Sequence, residues 1–291
     1  MALTSNLAIE SAYDQCEAIT RREARNFSYG IRLLPAAKRR ALSAVYAMAR
    51  RIDDIGDGSM PIDAKRRSLT ELRAFLSEID SHPEDPVALA LSDVTNRFPL
   101  PMECFGEIID GCEADLSVHR YETFDELVGY CRYVAGSVGR LSVGVYDPSD
   151  LRSAMPLADD LGIALQITNI LRDLREDRLV ERVYVPQEDL NRFGCTLDVD
   201  EEGRLRDDPE RFAALVRFEA DRADRWYERG LALLPLLDRR SAACTAAMAG
   251  IYRRLLRQIA LDPEPVRSGR LSLSGRAKIA VAARALIGGS P

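Results

Sequence analysis

Histidine and tryptophan are scarce in this chain: His82 and His119 are its only two histidines, and there is one tryptophan in 291 residues. Six cysteines (Cys16, Cys104, Cys112, Cys131, Cys195 and Cys244) never form a Cys-x-x-Cys pair. Together these exclude a Cys/His zinc site. The cysteines read instead as small buried residues of a reduced compartment. No apolar run approaches the roughly 18 residues that a membrane-spanning helix needs. No apolar leader is expected either, because Glu10 and Asp14 interrupt the first stretch. No segment alternates apolar and polar residues as a half-buried strand does, and no Gly-x-Gly-x-x-Gly fingerprint follows one.

What remains is an ordinary globular balance, 46% hydrophobic and 30% charged, with a formal net charge of -6. The negative charge argues against a nucleic-acid partner. The length suits one large core, and no linker divides the chain, so residues 1–291 read as a single domain. The expected location is the cytoplasm, at most peripheral to the inner face of the plasma membrane. Positive charge crowds one early segment: Arg21, Arg22, Arg25, Arg32, Lys38, Arg39, Arg40, Arg50 and Arg51. This is either a solvated helix face or a patch for phosphate or a membrane surface.

The periodicity predicts helices throughout, an all-α chain. Residues 6–26 open it, and a break follows at 27–30. Pro35 is placed to start the next helix. Leu42, Val45, Ala49 and Ile52 give residues 36–56 a continuous apolar face. Further helices are expected over 63–79, 87–98 and 101–116. Thr123 and Glu126 form a capping box for a helix over 124–146, which carries small residues at Ala135, Gly136, Ser137 and Gly139. Such residues mark close helix packing or a ligand channel. A long helix is expected from about Pro156 to Asp177, then irregular chain to Asp207. Asp208 and Pro209 begin a helix to about 234, followed by helices over 241–261 and 274–286.

Two acidic rows stand out. Asn169, Asp173 and Asp177 recur every four residues, which stacks them on one helix face. Such oxygen donors suit a hard cation such as Mg²⁺. Arg172, Arg175, Arg178 and Arg182 are interleaved with them, which suggests phosphate on the metal. Asp53 and Asp57, with Asp54 beside them, end an earlier helix in the same way. Carboxylates at a helix C-terminus oppose the macrodipole and call for a cation. One such row alone reads as an exposed acidic helix end. Two rows, each followed by a helix break and preceded by arginine, suggest a shared metal cluster across a bundle cavity. Two or three Mg²⁺ ions bridging a diphosphate to such rows would make it a leaving group. If the carbon attached to it is allylic, ionisation gives a carbocation that needs a dry cavity and aromatic faces. Phe27, Tyr29, Tyr46, Tyr130, Tyr133 and Tyr252 are candidates for those faces, with core packing as the alternative for each.

Four segments carry a family resemblance: FSYGIRLLPAAKRRALSAVYAMARRIDDIGD (27–57), YETFDELVGYCRYVAGSVG (121–139), LGIALQITNILRDLREDRLVERVYVPQEDL (161–190) and IYRRLL (251–256). The chain resembles the squalene/phytoene synthases, head-to-head members of the trans-isoprenyl diphosphate synthases, from Ala24 to about Leu256. The resemblance implies an isoprenoid synthase fold, a helical bundle around a central cavity. It implies that Asp53 and Asp57 bind Mg²⁺ together with Asn169, Asp173 and Asp177. It puts Arg50, Arg172, Arg182 and Tyr184 near the diphosphates. It puts Phe27, Tyr46, Tyr130, Gln166 and Tyr252 at the cavity, with Tyr130 counted among the catalytic residues beside Asp53, Asp57, Asp173 and Asp177.

The implied activity is condensation of two prenyl diphosphates. Two farnesyl units giving presqualene diphosphate, and from it squalene, is the first expectation. Two geranylgeranyl units giving phytoene through prephytoene diphosphate is the alternative. The last step ends in hydride transfer from NADPH or in proton loss, and NADPH use is left open. Peripheral membrane contact for product release and downstream isoprenoid enzymes are further implied partners. A non-catalytic family-like partner would carry broken aspartate rows, and a terpene cyclase would not match 121–139 and 161–190. Three departures stand out. Glu181 replaces the glycine of the family's G-R-[IV]-Y-[LF]-P, Arg140 follows Gly139 where many members have a small or apolar residue, and Glu23 replaces a histidine. No hydrophobic C-terminal anchor follows, which resembles bacterial members.

Overall fold

The computed structural model describes residues 2–24 and 27–287. Thirteen α-helices are found among them: α1 (Ala2–Glu23), α2 (Phe27–Ile31), α3 (Ala36–Asp57), α4 (Ile62–Ser77), α5 (Pro86–Arg97), α6 (Glu103–Ala114), α7 (Phe124–Cys131), α8 (Ser137–Tyr146), α9 (Leu151–Leu179), α10 (Gln187–Phe193), α11 (Pro209–Gly230), α12 (Arg239–Leu261) and α13 (Gly275–Leu286). No strand occurs among the described residues, only two isolated bridges, Arg120 with Val183 and Val199 with Leu205. The end expected for the first helix, at residues 25 and 26, lies outside the described residues, as does Arg25 of the basic segment.

Local signals explain most boundaries. The side chain of Asp208 accepts from the amides of Glu210 and Arg211 and starts α11, and Asp238 does the same for α12. Thr123 accepts from the Glu126 amide at the start of α7, while Glu126 reaches back to the amide of Glu122 rather than to that of Thr123. The break expected at 27–30 is instead the short helix α2, and three further differences from expectation stand out. First, α9 opens at Leu151, because the Asp150 carboxylate caps the Ser153 amide at 3.0 Å. Pro156 then lies inside the helix at the loss of one backbone hydrogen bond. Second, the helix expected over 124–146 is broken by a π turn at Arg132–Gly136. Third, the stretch expected to be irregular holds α10, which stops at Gly194 in the left-handed conformation, φ 65°.

The long helix α9 is the axle. It packs against α8, α11, α12 and the π turn, and buries residues around most of its circumference. That is why it shows little amphipathic pattern. The helix α3 packs with α1, α5, α6 and α8 on the other side. One buried cluster gathers residues of α1, α3, α5, α6 and α8, and a second gathers α7, α9, α11 and α12. The small residues of the π turn and α8 permit backbone-to-backbone approach to α9. A Cβ on Gly139 would lie 2.4 Å from the Ala158 carbonyl oxygen, and one on Gly162 would lie 2.5 Å from that of Ala135. Both glycines also line the central cavity, so packing and channel coincide.

All six cysteines are free and buried, as expected. The basic segment is mostly neutralised. Arg21 and Arg39 pair with Glu17, Arg22 with Glu23, Lys38 with Asp238, Arg40 with Glu10, Arg50 with Asp54 and Arg51 with Asp85. Most of it is a face of ion pairs, while Arg50 also lines the central cavity. No described helix is long and apolar enough to cross a membrane.

Candidate active site

A cavity of about 260 Å³ lies between the two clusters. Its walls are largely apolar: Ile31, Leu42, Val45 and Ala49 from one side, Val138, Val143, Leu161 and Leu165 from the other. Polar groups gather where α3 and α9 bring Arg50, Asp53, Gln166 and Asn169 to the lining. An apolar tail and a charged head therefore have separate places along the same space. Of the expected aromatics, Phe27 and Tyr46 line it, with ring centroids 6.5 Å apart. Tyr252 stands behind Phe27 at 6.0 Å and is not part of this lining. Tyr29 packs with α12 and α13 residues instead. Tyr133 is exposed on the outer surface, so it offers no face to a cation inside.

The two acidic rows converge from α3 and α9. Asp53 opens onto the cavity but is crowded on its other sides. Burial, then the neighbouring Asp57, pushes its carboxyl up to about 7. On α9, burial and then Asp173 push Asp177 up to about 7 as well. Asp115 is among the charges felt by both. Arg182 approaches Asp57 at 3.9 Å and so spans from the end of one row to the other. Asp173 is held by Arg172, whose Nε donates at 2.8 Å, and by Arg270 at 2.9 Å. The buried Oδ1 of Asn169 has no hydrogen-bond partner.

Among the described residues no three acidic, cysteine or histidine side chains lie close enough together to share one ion as they stand. The donor set nevertheless fits a hard divalent cation: crowded carboxylates with raised proton affinity, and an orphaned amide oxygen on the same face.

The four arginines interleaved with the second row divide. Arg172 and Arg182 turn toward the acids. Arg175 donates to the Gly203 carbonyl at 2.5 Å and Arg178 pairs with Asp198 at 3.3 Å, so both fasten a surface loop. The two that face the acids, Arg172 and Arg182, are the two of the four that the resemblance puts near the diphosphates. Arg140 neither reaches the cavity lining nor hangs in solvent: it donates to Glu107 at 2.9 Å and lies 3.4 Å from Asp159.

Tyr130 and Tyr184 sit outside the cavity lining, in a stack with Tyr121; the Tyr130 and Tyr184 centroids are 5.2 Å apart. Both donate to Asp115, each at 2.9 Å. Asp115 and Arg270 are site residues that the sequence reading missed. Asp115 had a signal, a third carboxylate at a helix C-terminus, but no partner four residues away. Arg270 had none, since its loop is placed only by the fold.

Comparison with known proteins identifies the family. Residues 20–277 match the family model described as squalene/phytoene synthase. The chain is 51% identical over 278 residues to a phytoene synthase of Mycobacterium tuberculosis, covering 96% of this chain and 91% of that one. It is 38% identical over 264 residues to a phytoene synthase of Arthrospira platensis, covering 85% and 84%. Among solved structures it resembles a dehydrosqualene synthase in complex with ligand, with TM-score 0.84 and 28% identity over 97% of each chain. It also resembles the squalene synthase HpnC of Alicyclobacillus acidocaldarius, with TM-score 0.78 and 29% identity, covering 87% of this chain and 94% of that one.

Proposed function

The chain belongs to the squalene/phytoene synthase family, and within it we propose that it joins two geranylgeranyl diphosphates head to head, through prephytoene diphosphate, to phytoene. Members of the family are prenyltransferases that carry out head-to-head condensation, and the fold is that of the isoprenoid synthases. The observation that carries the finer reading is the likeness of half the residues to a phytoene synthase. Likeness to the dehydrosqualene and squalene synthases is 28% and 29%. The balance thus moves from the C15 substrate expected first to the C20 alternative.

Asp53, Asp57, Asn169, Asp173 and Asp177 would hold Mg²⁺, whose charge neutralises the diphosphate as it leaves. Arg50, Arg172 and Arg182 bind the outer oxygens of the two diphosphates. The donor's C1–O bond breaks, and diphosphate keeps the electron pair. The C2=C3 double bond of the acceptor attacks the allylic cation, and one proton is lost as the cyclopropane closes. Loss of the second diphosphate, rearrangement and loss of another proton yield the hydrocarbon. This ending needs no reductant, and NADPH has no role in the proposal. Phe27 and Tyr46 turn their ring faces to the cationic carbons, while the apolar walls exclude water. Tyr130 belongs to the proton-transfer side of the reaction.

The test is incubation of the purified protein with Mg²⁺ and farnesyl or geranylgeranyl diphosphate, with and without NADPH, and mass spectrometry of the products. A C40 hydrocarbon from the C20 substrate without NADPH is expected. Products from farnesyl diphosphate alone would restore the C15 reading, and no turnover of either would sink both. Leu42, on the cavity wall, lies 11 residues from Asp53, about 16 Å along α3. Leu42→Phe should shift preference toward the C15 substrate by roughly tenfold in relative kcat/KM.

A further inference from the structure

We propose that Asp115, just beyond the C-terminal end of α6, is the positioning residue that fixes the hydroxyls of Tyr130 and Tyr184 for the head-to-head reaction. The inference rests on the reading of Tyr130 as a residue of that reaction.

The three groups come from three parts of the chain: the end of α6, the body of α7, and the segment after α9. They meet in one triangle. Tyr130 donates to Oδ2 of Asp115 at 2.9 Å, Tyr184 donates to Oδ1 at 2.9 Å, and the two phenol oxygens are 3.4 Å apart. Each carboxylate oxygen thus holds one hydroxyl. A free phenol rotates its proton between in-plane positions, but here both are committed, so the remaining lone pairs keep fixed directions. A hydroxyl that donates to a carboxylate also becomes a better acceptor at its own oxygen, through polarisation along the chain of hydrogen bonds. That is the property wanted of a group receiving a proton.

Two buried phenol hydroxyls need acceptors, and one carboxylate supplies both, against the cost of desolvating its own half-buried charge. The location is specific as well. Arg182, two residues before Tyr184, lies 3.5 Å from the Asp115 carbonyl oxygen and 3.9 Å from Asp57. Asp115 therefore ties the segment carrying Arg182 and Tyr184 to the end of the first acidic row, and aligns the phenols relative to both rows.

A double-mutant cycle tests this on the full chain with Mg²⁺ and the prenyl diphosphate that the parent protein turns over. Asp115→Asn keeps the shape but replaces one acceptor oxygen with a donor, so it cannot hold both phenols. Its expected effect is a kcat lower by roughly 10- to 100-fold with KM within about threefold. In a Tyr130→Phe/Tyr184→Phe background, the same Asp115→Asn change should cost less than about threefold, because nothing is left to position. An equal loss with and without the hydroxyls, or a rise in KM alone, overturns the inference while leaving the condensation reading intact. Undiminished kcat in Tyr130→Phe would overturn the role of Tyr130 and this inference with it. Circular dichroism is measured first. If Asp115→Asn does not fold, Tyr130→Phe and Tyr184→Phe are compared singly and together. A shared carboxylate makes the paired loss smaller than the product of the single losses, and independent losses refute it.

Discussion

On α3, Asp57 is 71% exposed, with Arg182 at 3.9 Å, while Arg50 spends its charge on Asp54, off the row, at 2.6 Å. On α9, Asp173 is 20% exposed and lies between Arg172 and Arg270. The two rows have the same four-residue spacing but opposite surroundings. The first is an open set of like charges. The second has arginine built into it, and Arg172 beneath it is only 6% exposed. Spacing therefore says which side chains share a face, and the neighbours say what removing one would do. A carboxylate of the first row repels its neighbour without a built-in partner, whereas Asp173 also neutralises a buried guanidinium.

The largest expected effect breaks the symmetry most directly. Asp53→Ala and Asp173→Ala should each lower turnover by at least about a thousandfold, since each would remove a proposed metal ligand and with it the charge that supports the leaving group. Their melting temperatures should diverge. Asp173→Ala leaves Arg172 without its carboxylate and should cost about 3 kcal/mol. Asp53→Ala relieves repulsion with Asp57 and should leave Tm unchanged or higher. Near-normal activity in either variant would refute the metal-row assignment, and equal losses of stability would remove the contrast between the rows.

A second test uses pH. Burial, with Asp57 or Asp173 alongside, raises the Asp53 and Asp177 carboxyls to about 7, against about 3.9 in an unfolded chain. Between these values the folded form holds protons that the unfolded chain has released. Their contribution to stability is full below about pH 4 and is lost as pH rises through about 7. In chelator the Tm should fall from pH 5 to pH 8 on this account, with the less exposed Asp177 contributing more than the solvent-screened Asp53. Added Mg²⁺ should raise Tm more at pH 8 than at pH 5.5. Asp53→Asn with Asp177→Asn should flatten the profile in chelator, and an unchanged slope in that variant would show the titration to lie elsewhere.

How far the sequence reached follows the same division. Periodicity and caps located the long helices but not the short α2 and α10, and four-residue spacing found both rows, because these are properties of neighbouring residues. Asp115 and Arg270 depend on contacts made by folding: Tyr184 is 69 positions from Asp115, and Arg270 is 97 from Asp173 (270 − 173 = 97). How the interleaved arginines divide was also set by folding: Arg172 holds Asp173, Arg175 and Arg178 reach the 198–203 loop, and Arg182 lies beyond the end of α9. The π turn left no pattern to read, since the small residues at Ala135 and Gly136 signal close packing equally well in an α-helix. Substrate length depends on how far the cavity extends beyond Tyr46, which is a property of several helices together.

The smallest effect concerns how each row ends. The helix carrying Asp57 stops at Gly58, whose φ of -60° any residue adopts, but a Cβ there would lie 2.8 Å from the Asp54 carbonyl oxygen. The helix carrying Asp177 stops before Glu181, whose φ is 63°. That is the left-handed region, which costs an ordinary L-residue about 1 kcal/mol and a glycine almost nothing. Thus the glycine of the first ending answers a steric demand, while the second ending makes a conformational demand that its glutamate does not meet. The strain is held by the turn itself, in which the Glu181 amide donates to Arg178 and the Arg182 amide to Asp177 at 3.0 and 2.9 Å. Glu181→Gly removes the strain but also widens the unfolded ensemble. The expected balance is a gain of about 0.5 kcal/mol, or a Tm higher by roughly 1–2 °C, with kcat changed by less than twofold. A fall in Tm would mean that the Glu181 side chain contributes more than its backbone costs, and the second row would then end, like the first, on a residue chosen for its neighbours.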